Sequence, residues 1–463
     1  MTGMRRTADN TQAGGAAPVA ADGRAHRSHT VALALNGWGT SLRRRFRAGE
    51  LGSFPVVLVL ATVWIVFQSL NNNFLSPRNL SNLSVDIVGT GLIAVGIVFV
   101  LLLGELDLSV GSISGLAAAV FAVLNVNNGV PEWLALVVAV LVGTVAGAVQ
   151  GFSCAKTRVP VFVVTLAGLL TWNGLMLYVL GTSGTVNLDE NGLVAKLTNY
   201  YFTNDGVAYG LAAVCTGFVF LVPYLDRRRR MAVGMPHRSL RDITVRAGGL
   251  AVIAFTSAYL LNRFQGLPLA LLLFLVVVAG LDIVLRHTHY GRRVYALGGG
   301  VEATRRASLN VTGIQTAVLA VSGTMAAIGG LFLASRITSV SQSSGSGVLL
   351  LNAIAAAVIG GTSLFGGRGT TWSAVLGMLV IQSISSGMSI TDTPTAIQFV
   401  ITGGVLFAAV VIDALSRRSQ EAHGKQVVVR PTEGSAGSHP PSGPAATRKP
   451  RDLRRSHRAA SGG

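Results

Sequence analysis

One pattern governs this sequence. An apolar run of roughly 14 to 22 residues, almost free of charge, recurs with short polar intervals between its copies. The runs cover 54–70, 87–103, 109–125, 133–152, 161–180, 207–224, 248–261, 268–285, 313–334, 348–361, 372–391 and 396–414. A helix of about 20 residues matches the hydrocarbon thickness of a bilayer. Only 12% of the residues are charged, about half the share of a soluble domain. The expected fold is therefore an all-α polytopic integral membrane protein with about 10–12 transmembrane helices. Runs 248–261 and 348–361 are short, so each reads as a tilted span, a re-entrant piece or part of a broken helix.

Charge sets the expected orientation. If the N-terminus is cytoplasmic and every run crosses, 33 of the 37 Lys and Arg fall on the cytoplasmic side. Only Arg78, Lys196, Arg263 and Arg336 fall outside. Both termini are then cytoplasmic, and 348–361 reads as a crossing. The basic excess follows the positive-inside rule and gives no reason to expect nucleic acid as a partner. Residues 1–53 and 416–463 read as disordered basic cytoplasmic tails, weakly attracted to membrane lipid, around a permease domain at 54–415. Two isolated cysteines make neither a disulfide framework nor a metal site. No phosphate-binding G-x-x-x-x-G-K-[ST] motif occurs, so the chain is not expected to be an enzyme, and no cofactor is expected.

Three stretches carry more than hydrophobicity. The first is GELDLSVG (104–111), two acids between charge-free runs. It is either a short cytoplasmic turn with solvated carboxylates or a helix break inside the membrane, where Glu105, Asp107 and Ser109 line a polar passage. The second is YGRRVYALGGGVEATRRASLNV (290–311). Gly298, Gly299 and Gly300 break the chain there, and VEATRRAS can form a short amphipathic helix with Glu302 at its favourable N-terminal end. An ordinary basic loop explains the same residues equally well. The third is AAAVIGGTSLFGGRGTTWSAVLG (355–377), whose glycines predict a tight irregular segment between two helices. Because it interrupts an apolar run much as GELDLSVG does, it hints at a pseudo-repeat of two halves.

These three motifs, in this order and at this spacing, resemble the permeases of bacterial ABC sugar importers of the ribose/xylose type. The resemblance runs from about Phe54 to Arg418. SPRNLSNL (76–83), SSGMSITDTP (385–394) and the insertion around LDRRRRM and LNRFQGLPLALLL point to xylose-type members of that group. The resemblance implies a bacterial plasma-membrane permease subunit, working with cytosolic ABC ATPase subunits that bind the ATP. It also implies an extracytoplasmic sugar-binding protein and a second permease copy. It assigns the ATPase-coupling role to the 290–310 loop, with Tyr290, Gly291, Arg292, Arg293, Gly298, Gly299, Glu302, Ala303, Arg305 and Ser308. Ser308 departs from the family pattern, which has glycine there. The expected cargo is a monosaccharide, D-xylose first. Candidate passage residues are Glu105, Asp107, Ser109, Thr362 and Ser363. Another cargo of the same importer class, such as ribose or a nucleoside, stays open. An ion-coupled secondary transporter is disfavoured by the nearly charge-free span interiors, and a scaffold role by the short loops.

Overall fold

A computed structural model describes residues 54–411 apart from 238, 307, 346 and 409. The two tails assigned from sequence lie outside the described residues. Nine helices are long and apolar enough to cross a membrane, and three shorter apolar helices accompany them among the described residues. In their described residues the twelve apolar runs fall mainly on these helices. The fold is that of an all-α polytopic membrane protein.

The elements in chain order are α1 (Phe54–Leu70), α2 (Pro77–Leu102), α3 (Val110–Ala122, continued by a π-helical turn at Val123–Asn127), α4 (Glu132–Thr157) and α5 (Val161–Leu180). A short excursion follows with β1 (Thr185–Asn187), α6 (Leu193–Asn199) and β2 (Tyr201–Phe202). Then come α7 (Asp205–Ala232), α8 (Leu240–Asn262), β3 (Leu267–Pro268), α9 (Leu269–His287), α10 (His289–Gly299) and α11 (Val301–Arg306). The chain continues with α12 (Val311–Ile337), β4 (Ser339–Ser341), α13 (Gly347–Ile359), α14 (Thr371–Ile390) and α15 (Thr395–Ala408).

Helix α2 is the axis of the bundle. Its start is fixed by Ser76, whose side chain accepts from Asn79 N–H, with Pro77 in the first turn. The most apolar window of α2 is 94% buried, so this helix packs against protein nearly all round. Helix α12 lies against α2, α3 and α4 and forms the second pillar. By contrast the α7 and α8 windows are only 11% and 17% buried, and these two helices pack chiefly on each other.

The loops gather at two ends. At one end β1 pairs antiparallel with β4, Val186 opposite Val340, and β2 pairs with β3. There Arg336 Nε donates to Asp86 Oδ1 at 2.8 Å, tying α12 to α2. Helix α6 closes the same end. Its Thr198 hydroxyl shares a hydrogen bond of 2.8 Å with the Ser335 hydroxyl, and both groups are buried. The end of α2, α10 and the 360–370 segment meet at the other end. This grouping follows the alternation of loops read from the sequence.

Two spans are interrupted. Residues 103–109 are non-helical between α2 and α3, and 342–346 are non-helical between β4 and α13. The second interruption packs on the start of α3, where a methyl group on Gly111 would strike the Gly345 carbonyl at 2.8 Å. The α13 helix spans only about 20 Å, short of the ~30 Å hydrocarbon core. The extended stretch before it completes the crossing. The sequence sets GELDLSVG beside the 355–377 segment as similar breaks; a second non-helical stretch, 342–346, meets the first turns of α3 at Gly111 and Gly115. The 360–370 segment is an irregular connection between α13 and α14.

Candidate transport site

Asp107 organises a polar knot. Its carboxylate is 1% exposed. Oδ1 accepts from the Ser109 backbone N–H at 3.0 Å and from the Ser109 hydroxyl at 2.6 Å, while Oδ2 accepts from the Ser322 hydroxyl at 2.9 Å. Ser322 stands about 16 Å along α12 from one end and about 22 Å from the other. Asp107 is therefore deep within the helical bundle. A surface turn with two solvated acids does not describe it. Glu105 is half-buried and accepts from the Val161 backbone at the first turn of α5, where a carboxylate is favoured. The two acids serve different helices, one holding α5 and the other α12.

Gln150 of α4 extends the knot. Its amide lies 2.9 Å from the Ser109 hydroxyl. That hydroxyl has a single proton, placed between Gln150 Oε1 and Asp107 Oδ1, both acceptors within reach of it. The amide nitrogen is turned toward Gly168, where the Trp172 indole N–H also lies. The Gln150 amide nitrogen and the Trp172 indole N–H are both buried without a hydrogen-bond partner among the described residues. The result is a chain of polar groups running from α5 through α4 and the α2–α3 break to α12. Thr165 of α5 adds a hydrogen bond of 3.3 Å to the Leu106 carbonyl.

Thr362 and Ser363 are elsewhere. They lie in the glycine-rich segment between α13 and α14, whereas the partners of Asp107 are Ser109 and Ser322. Thr362 is buried, with its hydroxyl unpartnered, and Ser363 N–H donates to the Arg368 carbonyl at 2.9 Å. This segment instead touches the other two motifs. Gly367 N–H donates to the Leu102 carbonyl at 2.9 Å, and Gly104 packs against Phe365 and Gly366.

The 290–310 region packs onto the same place. Thr288 caps α10 by accepting from Gly291 N–H at 3.2 Å. Tyr290, Arg292 and Arg293 belong to this helix, and the Tyr295 hydroxyl donates to the Gly369 carbonyl at 2.8 Å. Gly298 faces the Leu102 carbonyl so closely that no side chain fits. The break expected at three glycines is a correction: Gly298 and Gly299 are helical, and only Gly300 lies outside. Glycine serves here for close approach, which keeps α10 intact up to that contact. Glu302, Ala303 and Arg305 lie on α11, with Glu302 exposed in its first turn. Thr304, not singled out from sequence, clamps the two helices. Its hydroxyl lies 3.0 Å from the Ala296 carbonyl and 2.9 Å from that of Gly300. Ser308 has φ of 56°, the left-handed region that favours glycine. Burial pushes the Tyr290 hydroxyl up to about 12 and raises that of Tyr295.

The three motifs thus share one surface, and a polar knot lies behind it in the interior. Gln150, Ser322, Trp172 and Thr304 escaped the sequence reading. For Gln150 a signal existed, since an amide inside an apolar run is expensive without a partner.

A multi-pass helical bundle with two interrupted spans meeting in its interior defines a membrane permease. The chain belongs to the family described as branched-chain amino acid transport system / permease component, which matches residues 79–410. It is similar to the xylose transport system permease protein of Escherichia coli (strain K12), 36% identical over 80% of this chain and 93% of that protein. The xylose transport system permease protein of Haemophilus influenzae is likewise 36% identical, over 81% of this chain and 99% of that protein. The ribose import permease protein of Bacillus subtilis (strain 168) is 29% identical over 79% of this chain and 92% of that protein. No solved structure matches the chain.

Proposed function

We propose that this chain is the permease subunit of an ATP-driven ABC importer for a monosaccharide, D-xylose first, in a bacterial plasma membrane with both termini cytoplasmic. The observation that carries the mechanism is the junction of α10, the end of α2 and the 360–370 segment. An ATPase pressing on α10 and α11 would move Gly298 against Leu102, one residue before the break that leads to Asp107. Closure of the ATPase dimer is then transmitted along a few residues to the polar knot. Breaking and remaking its hydrogen bonds opens a path for a neutral polyol, which needs donors and acceptors and no counter-ion. Glu105, Asp107 and Ser109 are assigned to this path, with Gln150 and Ser322 added. Thr362 and Ser363 are assigned to the coupling junction. Cytosolic ATPase subunits, an extracytoplasmic sugar-binding protein and a second permease copy complete the assembly.

The similarity to two xylose permeases favours xylose over ribose as cargo. Ribose is the second reading, supported by the weaker similarity to a ribose permease. The test is radiolabelled xylose uptake in cells lacking this gene, with and without its restoration. Restored uptake that needs ATP and survives collapse of the proton gradient is expected. Uptake that follows the gradient would overturn the ABC assignment. Restoration of ribose uptake alone would overturn xylose.

A further inference from the structure

We propose that the α7–α8 hairpin carries a binding site for an anionic phospholipid at its basic end. The inference is independent of the transport reading. It starts from the length of α7: 28 residues extend about 42 Å, beyond the ~30 Å of a hydrocarbon core. The surplus is the Asp226–Ala232 end, which contains four consecutive arginines, Arg227 to Arg230. Helix α8 returns alongside, with Ile243 and Ala247 buried and Arg241 and Arg246 exposed. Six described arginines therefore cluster on two adjoining helix ends, against Asp226 and Asp242.

Little in the protein neutralises them. Asp226 is paired with Arg230 at 2.8 Å, and this is the one ion pair in the cluster among the described residues. Arg227 is half-buried, and its Nε is enclosed without a hydrogen-bond partner. An enclosed guanidinium N–H with no acceptor calls for one. A phosphodiester supplies oxygens that match this donor geometry.

The neighbouring surface identifies the source of that phosphate. Directly toward the bundle, Phe218, Leu221, Val222 and Leu225 are exposed, and so is Val245 on α8. Basic groups followed along the same helices by bare apolar side chains complement a molecule with an anionic head and acyl tails. A free phosphate would gain nothing from that apolar flank.

The experiment compares the purified full chain with its R227Q/R228Q/R229Q variant by native mass spectrometry, after exposure to cardiolipin or phosphatidylcholine. The wild type is expected to retain cardiolipin over phosphatidylcholine, and the variant to hold it roughly 100-fold more weakly. An R292Q/R293Q variant in α10, a basic pair outside the hairpin, should retain cardiolipin like the wild type. An R227K/R228K/R229K variant keeps the charge without the guanidinium fork; it should hold cardiolipin more weakly than the wild type and more tightly than the glutamine variant, and a loss as complete as in the glutamine variant would overturn the charge argument. Equal loss in the α10 variant, or no preference for cardiolipin in the wild type, would overturn the site. Displacement of cardiolipin by millimolar inorganic phosphate would assign the cluster to a free anion and overturn the lipid.

Discussion

Ser308 holds a backbone conformation that its side chain opposes, with φ of 56° between α11 and α12. Glycine takes that conformation without steric cost, so Ser308→Gly should stabilise the protein by about 1 kcal/mol. Thermal unfolding in detergent would check it, and an unchanged or lower midpoint counts against the strain. Asp107 leads to the opposite expectation. Ser322→Ala removes one donor from a buried carboxylate and should cost about 1–3 kcal/mol. Asp107→Ala should lower the melting midpoint as well as uptake, because it leaves the Ser109 backbone N–H and the Ser322 hydroxyl without their acceptor. A double-mutant cycle between the two positions should show coupling, and simple additivity would separate them. Asp107 was legible in the sequence as an acid between apolar runs. Its partners were not. Gln150 is 41 positions from Ser109 and Ser322 is 215 from Asp107, and a lone Ser or Gln in an apolar run does not announce which group it meets.

At the scale of elements, the long spans were legible because a charge-free run of about 20 residues has few alternatives to a membrane helix. The interruption after β4 was not. SQSSG reads as a polar surface loop, and only its packing against Gly111 shows that it lies within the bundle. Helix α10 was hidden by its three glycines, which argue for a break when contacts are unknown. That helix yields a pH prediction. The Tyr290 hydroxyl is buried and unpartnered, and its pKa is raised from the ordinary 10.0 to about 12. Between those values the unfolded chain releases a proton that the folded chain keeps, so Tyr290's contribution to stability is present below pH 10.0 and is lost as pH rises toward about 12. Tyr290→Phe should remove that slope and stabilise the protein at neutral pH by about 1 kcal/mol. Chemical denaturation across this pH range reads both effects, and an unaltered slope would assign the loss to another group.

On the scale of the whole molecule, β1 and β4 join segments far apart in the chain, with Thr185 opposite Ser341. A Thr185→Cys/Ser341→Cys variant should form a disulfide under oxidant. If transport requires that end to open, uptake should fall at least tenfold and return with reductant. Unimpaired uptake with the bridge formed would show that this pairing stays closed throughout. The interruption between α2 and α3 has a further, electrical consequence. Helix α3 begins in the interior three residues after Asp107, so one helix N-terminus, with the equivalent of about half a positive charge, lies beside this acid. That dipole, with the hydroxyl and backbone donors at Ser109 and Ser322, offsets part of the acid's charge in place of a lysine or arginine. A charge moved across 100 mV exchanges about 2.3 kcal/mol with the field, whereas an acid held in place exchanges almost nothing. An acid that stays fixed carries no charge across the membrane, so a neutral solute carried past it would leave the cycle electrically silent.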